Sequence, residues 1–134
     1  MLRQDDWGKA QLVTAGWLWG KAYGGHLAAT LIMDVLMNRV RAGWGPIANI
    51  IDNIPEKAYT LTIPTGIPEV WSPNFIRLLH EVENSWSGAK DSSKGSLYWA
   101  DTVEISNPWF KERIIDYPEI HPCVCDMNSL RFYK

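Results

Sequence analysis

The chain has 134 residues, of which 46% are hydrophobic and 21% charged, and its formal net charge is -2 at pH 7. This length and composition predict one globular domain over residues 1–134, with a core that needs neither disulfides nor a metal. The charge gives no electrostatic footprint for nucleic acid or an anionic membrane, and no apolar run approaches the roughly 20 residues of a membrane span. We therefore expect neither nucleic acid nor a membrane as a partner.

The N-terminus does not have the layout of a signal peptide. Acidic residues appear within the first six positions, and no unbroken apolar segment follows them. We therefore expect synthesis in the cytoplasm without a signal peptide. The alternative is that a leader has already been removed.

The first segment of the chain has helical periodicity. Asp5 or Asp6 is a candidate N-cap for a first helix that runs to about Trp19, because apolar residues recur there at helical spacing. Gly16 and Gly20 are expected to weaken this helix, and a Gly-Gly pair ends the segment.

A second helix is predicted over about residues 26–41. Its apolar residues form a wide stripe, which is typical of a central and mostly buried helix. Gly43 and Gly45 are expected to terminate it, and Pro46 is expected to start a short third helix rich in isoleucine.

The second half of the chain mixes irregular and short regular segments. Residues 55–71 contain several prolines and predict a long loop, and a loop of this length in a small domain often serves a site. A fourth helix is predicted from Ser72 to about Gly88, and a further short helix from Trp109 to about Ile115.

Two segments are typical of strands. Residues 96–100 are short and aromatic, and the tail over residues 120–133 alternates in part and predicts a hairpin around residues 126–128. Together with the helices, these segments predict a mainly α (α+β) single domain with a small β element.

Five short motifs carry a resemblance that extends over about residues 17–133. They are Trp19-Gly20-Lys21-Ala22-Tyr23-Gly24-Gly25, Met37-Asn38-Arg39-Val40, Gly95-Ser96-Leu97-Tyr98-Trp99, Asn107-Pro108-Trp109-Phe110-Lys111 and Arg131-Phe132-Tyr133. In this order they resemble the motifs of spore-cortex-lytic cell-wall hydrolases, a family of small peptidoglycan glycosidases. The resemblance implies a lysozyme-like, lytic-transglycosylase-like fold. It also implies cleavage between N-acetylmuramic acid and N-acetylglucosamine without a cofactor.

The chain departs from this family at polar positions of the site. Lys21 stands where the family has its catalytic Glu, and Gly25 and Leu130 stand where it has a second Glu and a closing His. Glycoside cleavage needs a proton donor beside a developing positive charge, and a carboxylic acid in a dry pocket suits this task better than a lysine cation. Alternative roles for Lys21 are binding a carboxylate of the glycan or pairing with an acid such as Asp34.

Other residues are candidates for the chemistry that Lys21 does not supply. Glu104 follows the Tyr98-Trp99 segment and is the candidate replacement acid at the border of a groove, whereas the remaining glutamates lack any motif. The resemblance, together with the tendency of aromatic rings to stack on pyranoses, indicates a set of substrate-binding residues. This set comprises Tyr98, Trp99, Trp19, Asn38 and Tyr133.

Each of these assignments has a structural alternative. Most large aromatic residues pack in protein cores, and the chain has eight tryptophans, so only a few are expected to line a groove. Asn38 and Arg39 close the second helix and lie in or beside the site if the resemblance holds. Otherwise, Arg39 is an ordinary cation that complements the dipole at a helix C-terminus.

His121, Cys123 and Cys125 form an H-x-C-x-C segment. On an extended strand the three side chains share a face and could supply three zinc ligands, but a structural zinc site needs a fourth. Reduced, packed thiols are the alternative, since cysteines two residues apart suit a disulfide poorly. Nucleophilic catalysis by either cysteine would require proximity to His26 or His80.

Two main functional hypotheses follow, with peptidoglycan glycan strands or other virion proteins as the partners. In the first, the chain is a phage-encoded cell-wall hydrolase-like protein that binds or cleaves glycan strands. Cleavage then requires a different acid in place of the missing Glu, unless Lys21 is itself a substitution for a Glu in the natural protein. In the second, it is a non-enzymatic virion or tail protein that reuses the hydrolase fold. A protein of the first kind acts at the cell wall, and one of the second kind acts within a phage virion. A third, different class is an interaction module held together by a metal ion.

Overall fold

The computed structural model describes residues 4–23, 25–58, 77, 80, 91–101, 110–127 and 130–134. The helical elements within these ranges are α1 (Gln4–Ala22), α2 (His26–Arg41), α3 (Ile47–Asp52), a 3₁₀ turn over Pro55–Ala58 and a π-helical turn over Lys111–Ile115. The strands are β1 (Tyr98–Asp101), β2 (Cys123–Met127) and β3 (Leu130–Tyr133). This content confirms the α+β class with a small β element. None of the described helices has the length and apolarity needed to cross a lipid bilayer.

For α2 and α3, the helix boundaries follow local signals in the sequence. The prediction for α2 is confirmed, and positive φ angles at Gly43 (80°) and Gly45 (140°) follow its end, because glycine adopts this region without strain. Pro46 is the N-cap of α3, as expected from its fixed φ. By contrast, α1 includes Asp5 and Asp6 within its span, and it ends at Ala22, three residues after Trp19 and just before the Gly-Gly pair that was expected to end the segment.

Two glycines allow α1 and α2 to pack as a close antiparallel pair. A Cβ atom on Gly20 would lie 2.3 Å from the Ala29 Cβ and 2.5 Å from the Ala29 Cα, and one on Gly16 would lie 2.3 Å from the Met33 Cγ. The glycines were expected to weaken the first helix, yet the helix passes through both. Packing against α2 outweighs their low helix propensity.

The three strands form an antiparallel sheet in the order β1-β3-β2. Tyr98 pairs with Tyr133, and Met127 pairs with Leu130 where β2 and β3 approach each other in the chain. The predicted strand and the predicted C-terminal hairpin are therefore confirmed. The short helix predicted near residues 109–115 is a π-helical turn, in which the Asp116 amide donates to the Lys111 carbonyl at 2.9 Å.

The sheet separates two groups of buried side chains, because residues alternate between its faces. Trp99, Leu130 and Phe132 belong to the main core, which also contains the buried faces of α1, α2 and α3. Ala100 and Tyr133 face the other way and pack with a smaller group from the π-helical turn. The sheet is thus buried on both faces at its β1 and β3 strands.

Some predicted elements lie largely outside the described residues. The loop predicted over residues 55–71 is described only at its start, where the 3₁₀ turn forms. The predicted fourth helix is described only at Arg77 and His80, and both residues are helical.

Candidate functional site

Lys21, which the resemblance aligns with a catalytic acid, is an exposed residue in the last turn of α1. Its Nζ lies 4.9 Å from the centroid of the Trp17 ring, which is a cation–π arrangement. Since Gly20 packs on Ala29, Lys21 lies beside the first half of α2. Arg39 follows Ala29 by ten residues on α2, which is about 15 Å along the helix axis at a rise of about 1.5 Å per residue. Lys21 and the polar residues at the end of α2 are therefore far apart.

Asn38 is a buried structural anchor at the end of α2. Its Nδ2 lies 3.1 Å from the Asp91 Oδ2, 3.1 Å from the Ser93 Oγ and 3.0 Å from the Ser96 carbonyl. Its Oδ1 accepts a hydrogen bond from the Arg41 Nη1 at 3.0 Å. The amide predicted to bind substrate is instead used to hold the turn that leads into β1.

The same turn is stabilised by carboxylates. Asp91 accepts hydrogen bonds from the Ser93 amide at 2.9 Å and from the Gly95 amide at 2.8 Å. Asp34, which is buried in α2, accepts one from the Ser92 amide at 2.9 Å. Asp34, the acid considered as a partner for the lysine of α1, therefore takes part in fastening this turn.

Arg39 and Glu56 form a buried ion pair that the sequence analysis did not predict. The pair joins the Arg39 Nη2 to the Glu56 Oε1, and the side chains are 1% and 0% exposed. The Arg39 Nε donates to the Leu97 carbonyl at 2.8 Å, and the Trp99 amide approaches the Glu56 Oε1 at 3.5 Å. Arg39 lies in the last turn of α2 as predicted, but it is not an ordinary helix-end cation, because it connects α2, the 3₁₀ turn and β1 inside the domain.

Aromatic rings surround the Arg39 guanidinium. Its Cζ lies 4.9 Å from the Trp44 ring, 5.0 Å from the Trp99 ring and 5.9 Å from the Tyr98 ring, measured to the centroids. Such contacts strengthen when the cation is desolvated. Among the described residues, the Arg39 Nη1 and the Glu56 Oε2 are buried without a hydrogen-bond partner. Each member of the pair therefore has one polar atom without a hydrogen-bond partner among the described residues.

A cavity of about 320 Å³ lies at the C-terminal end of α2. It is lined by Arg39, Trp44, Asn49, Ile50 and Asn53, and we call it the Arg39 cavity. Among these lining residues are a guanidinium, two amides and an aromatic ring, but no carboxylate. This site was not predicted from the sequence. The pattern that could have indicated it is the four-residue spacing of Asn49 and Asn53 on the predicted third helix, which puts both side chains on one face.

The predicted substrate-binding aromatics divide into core and surface residues. Trp19, Trp99 and Tyr133 are buried, and the first two form an edge-to-face pair with centroids 5.4 Å apart. Stacking on a sugar needs an exposed ring, so these three side chains are placed for packing. Tyr98 is half-buried, 5.6 Å from the Trp44 ring, and borders the surroundings of Arg39.

The H-x-C-x-C segment does not form the shared face that was expected. β2 begins only at Cys123, and its pairing with β3 shifts register between Cys123 and Cys125. The His121 Nδ1 lies 2.7 Å from the Lys134 carbonyl oxygen. In the described ranges, no group of three or more His, Cys, Asp or Glu side chains is arranged to hold a metal ion.

Burial of two tyrosines predicts a loss of stability at alkaline pH. Burial raises the pKa of Tyr98, with Arg39 opposing the rise and Glu56 adding to it. Burial also raises the pKa of Tyr133. A raised pKa in the folded state means that unfolding releases protons above the unfolded value of about pH 10. The contribution is therefore complete below that pH and is lost as the pH rises through the folded pKa values.

Denaturant unfolding at a series of pH values from about 8 to about 11 measures this effect. We expect Tyr98→Phe to lose less stability over this interval than the unaltered chain. Tyr117→Phe removes a half-exposed phenol and serves as the control. An identical alkaline loss in the unaltered chain and Tyr98→Phe would contradict the assignment for Tyr98.

Glu104, the candidate replacement acid, lies outside the described residues, as do Glu69, Glu81 and Glu83. Glu56 is the buried carboxylate beside the Arg39 cavity, and its Oε1 is engaged by Arg39.

No protein-family model, curated protein or solved structure matches this chain significantly.

Proposed function

We propose that this protein is a phage-encoded, cell-wall hydrolase-like domain that binds peptidoglycan glycan strands without cleaving them. The observation that carries the proposal is the setting of Lys21. An exposed ammonium group over Trp17 stands where the resemblance expects the catalytic acid. Glycoside cleavage by this family needs a carboxylic acid in a desolvated pocket, and an exposed lysine provides neither the acid nor the pocket.

The motif residues that carry the resemblance contact one another in the structure, which supports a role directed at glycans. The motif residues Asn38 and Arg39 organise the entry into β1, and Trp99 from a third motif packs against both the first helix and the guanidinium. The α+β architecture is compatible with the lysozyme-like fold that the resemblance implies. The Arg39 cavity adds hydrogen-bonding groups and an exposed aromatic ring, which are the groups that sugars bind.

Incubation with purified peptidoglycan tests the proposal. We expect the chain to sediment with peptidoglycan and to release no soluble muropeptides detectable by mass spectrometry. Lys21→Glu is also expected to release none, because a carboxylate at this exposed position lacks the dry environment of a general acid. Lys111→Glu introduces the same charge change at another exposed lysine and is the matched control.

Each alternative outcome has a defined meaning when circular dichroism shows that the variants are folded. Muropeptide release by the unaltered chain would contradict the proposal and direct the search to another acid, such as Glu104. Release by Lys21→Glu alone would mean that a complete groove has lost only its acid. Absence of sedimentation would remove glycan binding from the proposal.

A non-enzymatic virion or tail component is the second candidate function. It is favoured by an apolar surface turn in which Tyr117 and Ile120 are 50% and 68% exposed. The Ile120 amide donates to the Tyr117 carbonyl at 3.1 Å, so the turn holds both residues close together. Contiguous exposed apolar surface is one mark of protein interaction sites.

A further inference from the structure

We draw no further inference here: the strongest candidate, the surface strip in which the Tyr98 ring contacts the rings of Trp44 and His121 beside the exposed side chains of Tyr117 and Ile120, is an apolar face, and nothing among the described residues shows what partner covers it.

Discussion

Glu56→Ala is expected to lower the free energy of unfolding by about 3–5 kcal/mol, the cost of leaving one member of a buried ion pair without its partner. The substitution strands the Arg39 guanidinium at 1% exposure and also removes the acceptor that faces the Trp99 amide. Because small domains are stable by only about 5–15 kcal/mol, a large part of the total would be lost. Urea unfolding monitored by circular dichroism measures the change.

An exposed ion pair provides the matched comparison. Lys111 and Asp116 are 2.9 Å apart, with side chains 62% and 45% exposed. Lys111→Ala is expected to cost no more than about 1 kcal/mol, because solvent screens such pairs. Combining Glu56→Ala with Arg39→Met is expected to recover part of the lost stability, since no buried charge remains. Equal, small losses in Glu56→Ala and Lys111→Ala would contradict the structural role of the buried pair.

Gly20→Ala is expected to destabilise the domain by about 3 kcal/mol or more, at the upper end of the usual cost of overpacking. The added methyl group would lie 2.3 Å from the Ala29 Cβ and 2.5 Å from both the Ala29 Cα and backbone nitrogen. Backbone atoms cannot rotate away, so α1 and α2 would have to separate. The gain in helix propensity offsets only about 1 kcal/mol of this cost.

Gly16→Ala is the comparison within the same helix. Its methyl group would meet the Met33 side chain, with the Cγ at 2.3 Å and the Sδ at 3.2 Å. Methionine has several rotatable bonds, so the side chain can move, and we expect a net loss of about 1 kcal/mol. Thermal and urea unfolding of both variants provides the measurement.

A compensating substitution sharpens the test at Gly20. Adding Ala29→Gly removes the contact with the Ala29 Cβ but leaves the Cα and backbone nitrogen in place, so rescue should be partial. A stabilised Gly20→Ala variant would mean that the helices separate at little cost. In that case the close contact would have no role in fixing the end of α1, where Lys21 lies.

Local signals in the sequence determined most of the elements and their ends. The apolar stripe of α2, the proline before α3 and the alternation in the C-terminal hairpin were sufficient, because each constrains backbone dihedrals or burial within a few residues. The stability of α1 through Gly16 and Gly20 was not predictable in this way. Glycine propensity disfavours the helix at both positions, and contact with Met33 and Ala29 across the helix pair offsets that cost.

The amino-acid sequence was enough to predict the α+β class, the positions of α2 and the hairpin, and the lysine that the resemblance aligns with an acid. It did not predict which polar residues meet, because that depends on the tertiary fold. Arg39 finds Glu56 seventeen positions away, and Trp19 meets Trp99 across the core. Periodicity tells which face of an element is apolar, but which polar groups are enclosed together depends on packing between distant segments. The Arg39 cavity exists for the same reason.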